Sequence, residues 1–112
     1  MPITNDKLKK YPFLKEMFED DFYPNFLVEK ARQILIHLCE DIEAEHPAND
    51  AGLFELTHAA VEEFNDLEPD FQENDSEFEA GAREAIEADF AFIVKAYGFD
   101  VDLEDVLEPR NW

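Results

Sequence analysis

The sequence predicts an all-α fold: a compact bundle of three long helices with short helices at the N- and C-terminal ends. Three observations predict it. Apolar residues recur every three or four positions, no alternating run of useful length supports a strand, and the breaks fall at Pro, Gly and capping residues. The 112 residues make a single domain, 1–112, and 46% hydrophobic content with 11 Phe supplies the apolar surface for one core.

Thr4 or Asn5 caps a first short turn with Leu8 and Tyr11 pointing inward. Pro12 suits the first position of a second helix to about Asp20, whose inner face is Phe13, Leu14, Met17 and Phe18. Phe22-Tyr23-Pro24 forms an aromatic elbow, because Pro24 disfavours helix before it. The first long helix runs from about Asn25 to His46 on a stripe of Leu27, Ala31, Ile34, Leu35, Leu38 and Ile42. Asn49 or Asp50 caps the next, about Ala51 to Leu67, with Leu53, Leu56, Ala60, Phe64 and Leu67 inward.

Glu68-Pro69-Asp70 reads as a break, and Phe71 to Asp75 as loop. Ser76 with Glu79 three residues later reads as a capping box for the last long helix, which stops at Gly98. Its stripe is Phe78, Ala82, Ala85, Ile86, Asp89, Ile93 and Tyr97, and residues 90–94 are apolar nearly all round, which predicts a central helix. A last turn, Asp102 to Leu107, folds Val101, Leu103, Val106 and Trp112 back over the bundle.

Charge is distributed unevenly. Residues 1–32 hold six acids and six bases, so the whole net charge of −20 falls on residues 33–112, where 23 acids face Arg83, Lys95 and Arg110. From Glu62 to Glu79 there are nine acids in eighteen residues and no base. Such a field repels nucleic acid and anionic membrane and draws basic partners. Three bases cannot form a nucleic-acid stripe, so direct nucleic-acid binding is not expected.

Catalytic signatures are absent from the pattern. There is no Gly-rich phosphate loop and no Ser nucleophile elbow, so no enzyme activity and no cofactor are expected. Two Glu-x-x-His pairs, Glu43 with His46 and Glu55 with His58, have the spacing of di-iron carboxylate bundles but fall around a loop instead of mid-bundle. Asp100 to Asp105 resembles the start of a calcium loop but lacks its Gly and terminal Glu. Asp89 is the odd residue on its stripe, and His58 or Thr57 on the facing helix is its expected partner. Cys39 is the only cysteine and reads as a core position. The opening residues lack a signal-peptide stretch, and the longest apolar run, Phe90 to Val94, is far below the roughly 20 residues that span a bilayer. A cytoplasmic protein with no membrane contact is the expectation.

Tyr11-Pro12-Phe13-Leu14-Lys15-Glu16-Met17, Tyr23-Pro24-Asn25-Phe26-Leu27-Val28 and Leu56-Thr57-His58-Ala59-Ala60 carry a family resemblance. So do Ala88-Asp89-Phe90-Ala91-Phe92-Ile93, Lys95-Ala96-Tyr97-Gly98-Phe99-Asp100 and the closing Asn111-Trp112. Together they resemble a bacterial family of small acidic proteins known only as domain of unknown function 5713. The resemblance implies a bacterial, soluble, single-domain protein and transfers no functional residue.

The leading expectation is a non-enzymatic acidic interaction protein that binds a basic protein partner, most concretely an immunity or antitoxin-type inhibitor of a nuclease toxin. Its docking face would be Glu62, Glu63, Asp66, Glu68, Asp70, Glu73, Asp75, Glu77 and Glu79, with Phe71 or Phe78 as apolar anchor. A DNA mimic acting on a DNA-binding protein is the alternative. A small metalloenzyme using the Glu-x-x-His pairs is the third.

Overall fold

Two long helices frame the molecule. The computed structural model describes residues 3–112, with α1 (Lys15–Glu19), α2 (Asn25–Glu45), α3 (Asp50–Glu73), α4 (Ala80–Ala96) and α5 (Leu103–Val106) and no strand among them. A four-residue connection, 46–49, makes α2 and α3 an antiparallel pair that packs along its length. The buried positions of α2, among them Leu27, Ala31, Ile34, Leu35, Leu38 and Ile42, are those of its stripe. Helix α4 packs on α1, α2 and α5, and its Phe90 ring meets Phe64 of α3 at 5.8 Å. Trp112 closes over Phe64 and Phe78 at 6.0 and 5.8 Å, with the Arg110 guanidinium 5.4 Å above its ring.

Three boundaries differ from the sequence expectation. First, α3 does not break at Glu68-Pro69-Asp70 but passes through Pro69 to Glu73. A proline inside a helix costs about 3 kcal/mol, through a lost N–H and a ring clash. The continuation offsets this by burying Phe71 completely, with its ring 4.9 Å from Phe78. Full burial of such a side chain is worth about 2–3 kcal/mol, plus roughly 1 kcal/mol for the aromatic pair.

Second, Ser76 does not cap α4. The chain leaves α3 through Asp75, which takes left-handed φ 60°. The Ser76 amide then donates to the Phe71 carbonyl and the Asp75 amide to Gln72, which is the Schellman pattern. With Ser76 committed to the end of α3, α4 starts later, at Ala80, and Glu79 becomes its cap by accepting from the Gly81 and Ala82 amides. The other end of α4 is as expected. Gly98, at φ 87°, lets the Phe99 amide reach Val94 and its own amide reach Lys95.

Third, the Pro12–Asp20 helix is shortened to Lys15–Glu19. Leu14 adopts left-handed φ 57°, which interrupts any helix from Pro12. Phe13, Leu14 and Met17 are buried nonetheless, as their inward assignment required.

Candidate interaction surface

Acids without an ion-pair partner among the described residues define the surface. The ion pairs among the described residues are Lys9–Asp6, Arg32–Glu29 and Arg110–Glu87, so none takes an acid from 62–79. Glu62, Glu63, Asp66, Glu73, Asp75 and Glu77 are exposed, while Glu68, Asp70 and Glu79 are half-buried. Glu79 accepts from the Tyr23 hydroxyl as well as from its own helix. That hydroxyl, with the Ala82 and Gly81 amides, holds its carboxyl below the usual carboxylate range against the effect of desolvation.

Neither expected anchor is available. Phe71 has no exposed surface and Phe78 keeps only 4%. Phe71, expected in a loop, is drawn into the core by the extension of α3, while Phe78 is buried as its place on the inner stripe of the last helix implies, which rules it out as a surface anchor.

The exposed large hydrophobics are instead Phe22 (44%) and Phe26 (58%), at the elbow between α1 and α2. Phe22 meets Tyr23 edge-on at 5.2 Å, and Tyr23 is the residue bonded to Glu79. Since α2 and α3 are antiparallel, the start of α2, the end of α3, the 74–79 connection and the start of α4 share one end of the bundle. A signal for Phe26 was present in the sequence: it lies off the apolar stripe of α2, on the face of Lys30, Gln33 and His37.

The polar residues singled out on other grounds have structural partners. Asp89 is 5% exposed. It pairs with neither His58 nor Thr57. Its Oδ2 accepts from the Leu14 amide at 2.8 Å and its Oδ1 from the Tyr11 hydroxyl at 3.0 Å. The reason is that α1, not α3, lies over this part of α4. Burial pushes its carboxyl up, and the two hydrogen bonds reduce that rise without cancelling it. Burial and the Asp89 charge in turn push Tyr11 up to about 12. Tyr11, Lys15, Glu16, Ala85 and Ala88 surround Asp89 in a small cavity of about 220 Å³.

His58 sits 2.6 Å from the Asp105 carbonyl, to which its Nε2 donates, and stacks on Phe54. Thr57 donates to the Phe54 carbonyl. Glu43 accepts from the Thr4 amide and hydroxyl, the Asn5 amide and the Tyr97 hydroxyl. Burial pushes Glu43 up, but these donors outweigh it and hold the group at about 2. His46 takes left-handed φ 48° at the end of α2. Glu43 and His58 are thus engaged by the chain itself and His46 ends α2, while Glu55 is exposed; among the described residues no three His, Cys, Asp or Glu are grouped to hold a metal. Burial and the Glu43 charge push the Cys39 thiol up to about 12, so it stays protonated.

A cleft of about 520 Å³ lies at the opposite end, between Thr4, Glu43, His46, Pro47, Tyr97 and Phe99. Its Glu43 oxygens are already engaged by the chain's own donors. No described helix is long and apolar enough to cross a membrane.

Residues 7–112 match the family of unknown function DUF5713. The chain belongs to that family. No curated protein and no solved structure matches it. Membership in DUF5713 thus spans nearly the whole helical unit, from the first turn to Trp112, and brings no assigned activity with it.

Proposed function

We propose that this member of DUF5713 is a non-enzymatic interaction protein whose acidic face binds a basic protein partner. One observation carries the reading: the acids of 62–79 are mostly exposed and matched by no base within ion-pair distance. A surface of that kind raises the association rate of a cationic partner and suppresses association with anionic ones. The most concrete partner is a secreted nuclease toxin. Its substrate groove is basic, and carboxylates presented there would occupy the place of phosphates, which makes this chain an immunity protein acting in the cytoplasm.

The test is capture of a tagged chain's partner from cells that make it, at low and moderate salt, beside the variant with the exposed acids of the stretch, Glu62, Glu63, Asp66, Glu73, Asp75 and Glu77, changed to Lys. The reading expects one stoichiometric basic protein, retained in moderate salt and lost with the variant. A nuclease activity in that protein, blocked by the wild-type chain, would identify the toxin. A salt-sensitive mixture of many basic proteins, equal for both chains, would reduce the charge to a solubility device.

A further inference from the structure

Two phenylalanines on this acidic chain stay largely at the surface. Phe22 and Phe26 are 44% and 58% exposed, while the other nine Phe are buried or partly buried. They flank Pro24 at the end of the bundle where the chain also delivers Glu19, Asp20 and Asp21 on one side and Glu73, Asp75, Glu77 and Glu79 on the other. Those two segments, 19–26 and 73–79, contain seven acids and no base.

The elbow is held by contacts of its own. Tyr23 is 3% exposed, its ring meets Phe22, and its hydroxyl is held by the carboxylate that caps α4. The Asp20 carboxylate accepts from the Phe22 amide at 2.9 Å. Phe26 sits on the first turn of α2, anchored next to buried Leu27 and Val28. Aromatic side chains presented on fixed backbone lose little entropy on binding, which suits them as interface anchors.

Resting on the basic-partner reading above, we infer that this end of the bundle is the partner's docking point: Phe22 and Phe26 receive large apolar side chains of a lysine- or arginine-rich segment, and the surrounding carboxylates receive its charges. Charge decides between occupants. A second copy would bring another −20 and the same seven acids to the contact, whereas a basic segment is complementary to them. Lys30 lies one turn beyond Phe26 on α2 and bounds the patch on that side. The docking site therefore lies around the α1–α2 elbow and the 73–79 connection, and the acids of mid-α3, Glu62, Glu63 and Asp66, act in long-range steering.

The test uses the full chain and two synthetic peptides of equal length and charge, one of lysine and serine, the other with leucines replacing serines at helical spacing. Binding is measured by fluorescence anisotropy at moderate salt. The leucine peptide should bind about tenfold more tightly, and the double variant Phe22→Ala, Phe26→Ala should lose that preference while keeping the affinity for the serine peptide. Both positions are exposed, so circular dichroism should show the variant folded.

Equal binding of the two peptides, or a preference that survives the double variant, would overturn the docking point and leave the basic-partner reading standing. Failure of both peptides to bind would overturn both. Sedimentation equilibrium supplies the remaining arm: a dimer of the wild-type chain that the double variant abolishes would make the patch a self-association surface and overturn the inference.

Discussion

Removing the Asp89 side chain should be among the more damaging single changes to this fold, while neutralising it in place should be tolerated. The carboxylate is the acceptor for the Leu14 amide, at the left-handed residue that starts α1, and for the Tyr11 hydroxyl. Asp89→Ala strips both donors of their partner and leaves a buried amide unsatisfied, each such loss costing about 1–3 kcal/mol. Relief of the burial penalty on the charge offsets part of this, so we expect a net loss of about 2–4 kcal/mol at pH 7. Asp89→Asn keeps an oxygen for Leu14 and sheds the buried charge, so it should stay within about 1 kcal/mol of wild type.

The sign of the pH dependence follows from the raised pKa. Asp89 is pushed above its ordinary 3.8 when folded, so its contribution to stability is fully present below the unfolded value and is lost as pH rises through the folded one. Urea unfolding followed at 222 nm, from pH 4 to pH 7, should therefore show wild type gaining on Asp89→Asn as pH falls. Because both chains share every other carboxylate, the difference isolates this one. If Asp89→Ala loses less than about 1 kcal/mol, or if Asn and Ala are equally harmful, the latch between α4 and the start of α1 is not as described.

Three further outcomes follow from the same geometry. Pro69→Ala should stabilise by about 1–3 kcal/mol in urea, because it restores an amide and removes a ring clash inside α3. A destabilising result would mean that Pro69 is not helical. Ser76→Ala should gain up to about 1 kcal/mol in the same assay, since the buried Ser76 hydroxyl has no hydrogen-bond partner among the described residues. A loss would reveal a bond to that hydroxyl. Glu43→Gln should loosen the N-terminal tether. The group is held at about 2 by Tyr97, Thr4 and Asn5 against the opposing effect of burial, so its contribution is present above the unfolded value of 4.5 and lost as pH falls through 2. Glu43 is partly solvated, which reduces the expected cost to roughly 1 kcal/mol. Faster exchange of the Thr4 and Asn5 amides at neutral pH is the readout, and unchanged exchange would refute the tether.

Much of the helical content was legible in the sequence because periodicity reports a property of each helix alone. The stripe of α2 and its start at Asn25 depend on spacing and on Pro24, and Gly98 ends α4 because a left-handed position there strains most other residues. The acids of 62–79 and their charge were equally plain.

Helical class, strong acidity and family membership follow from the order of the residues without any packing. Tertiary structure decided the rest. Pro69 signals a break locally, yet burying Phe71 against Phe78 outweighs it. That one continuation moves Ser76 from cap to turn, hands the start of α4 to Glu79 and withdraws Phe71 from the surface into the core. The partner of Asp89 depended likewise on which helix lies across α4, and only the assembled fold put α1 and its Leu14 amide there. The exposure of Phe22 was decided in the same way, whereas that of Phe26 agrees with its place off the stripe of α2. An aromatic residue is drawn to whatever apolar surface reaches it, and the packing leaves 44% of Phe22 and 58% of Phe26 uncovered.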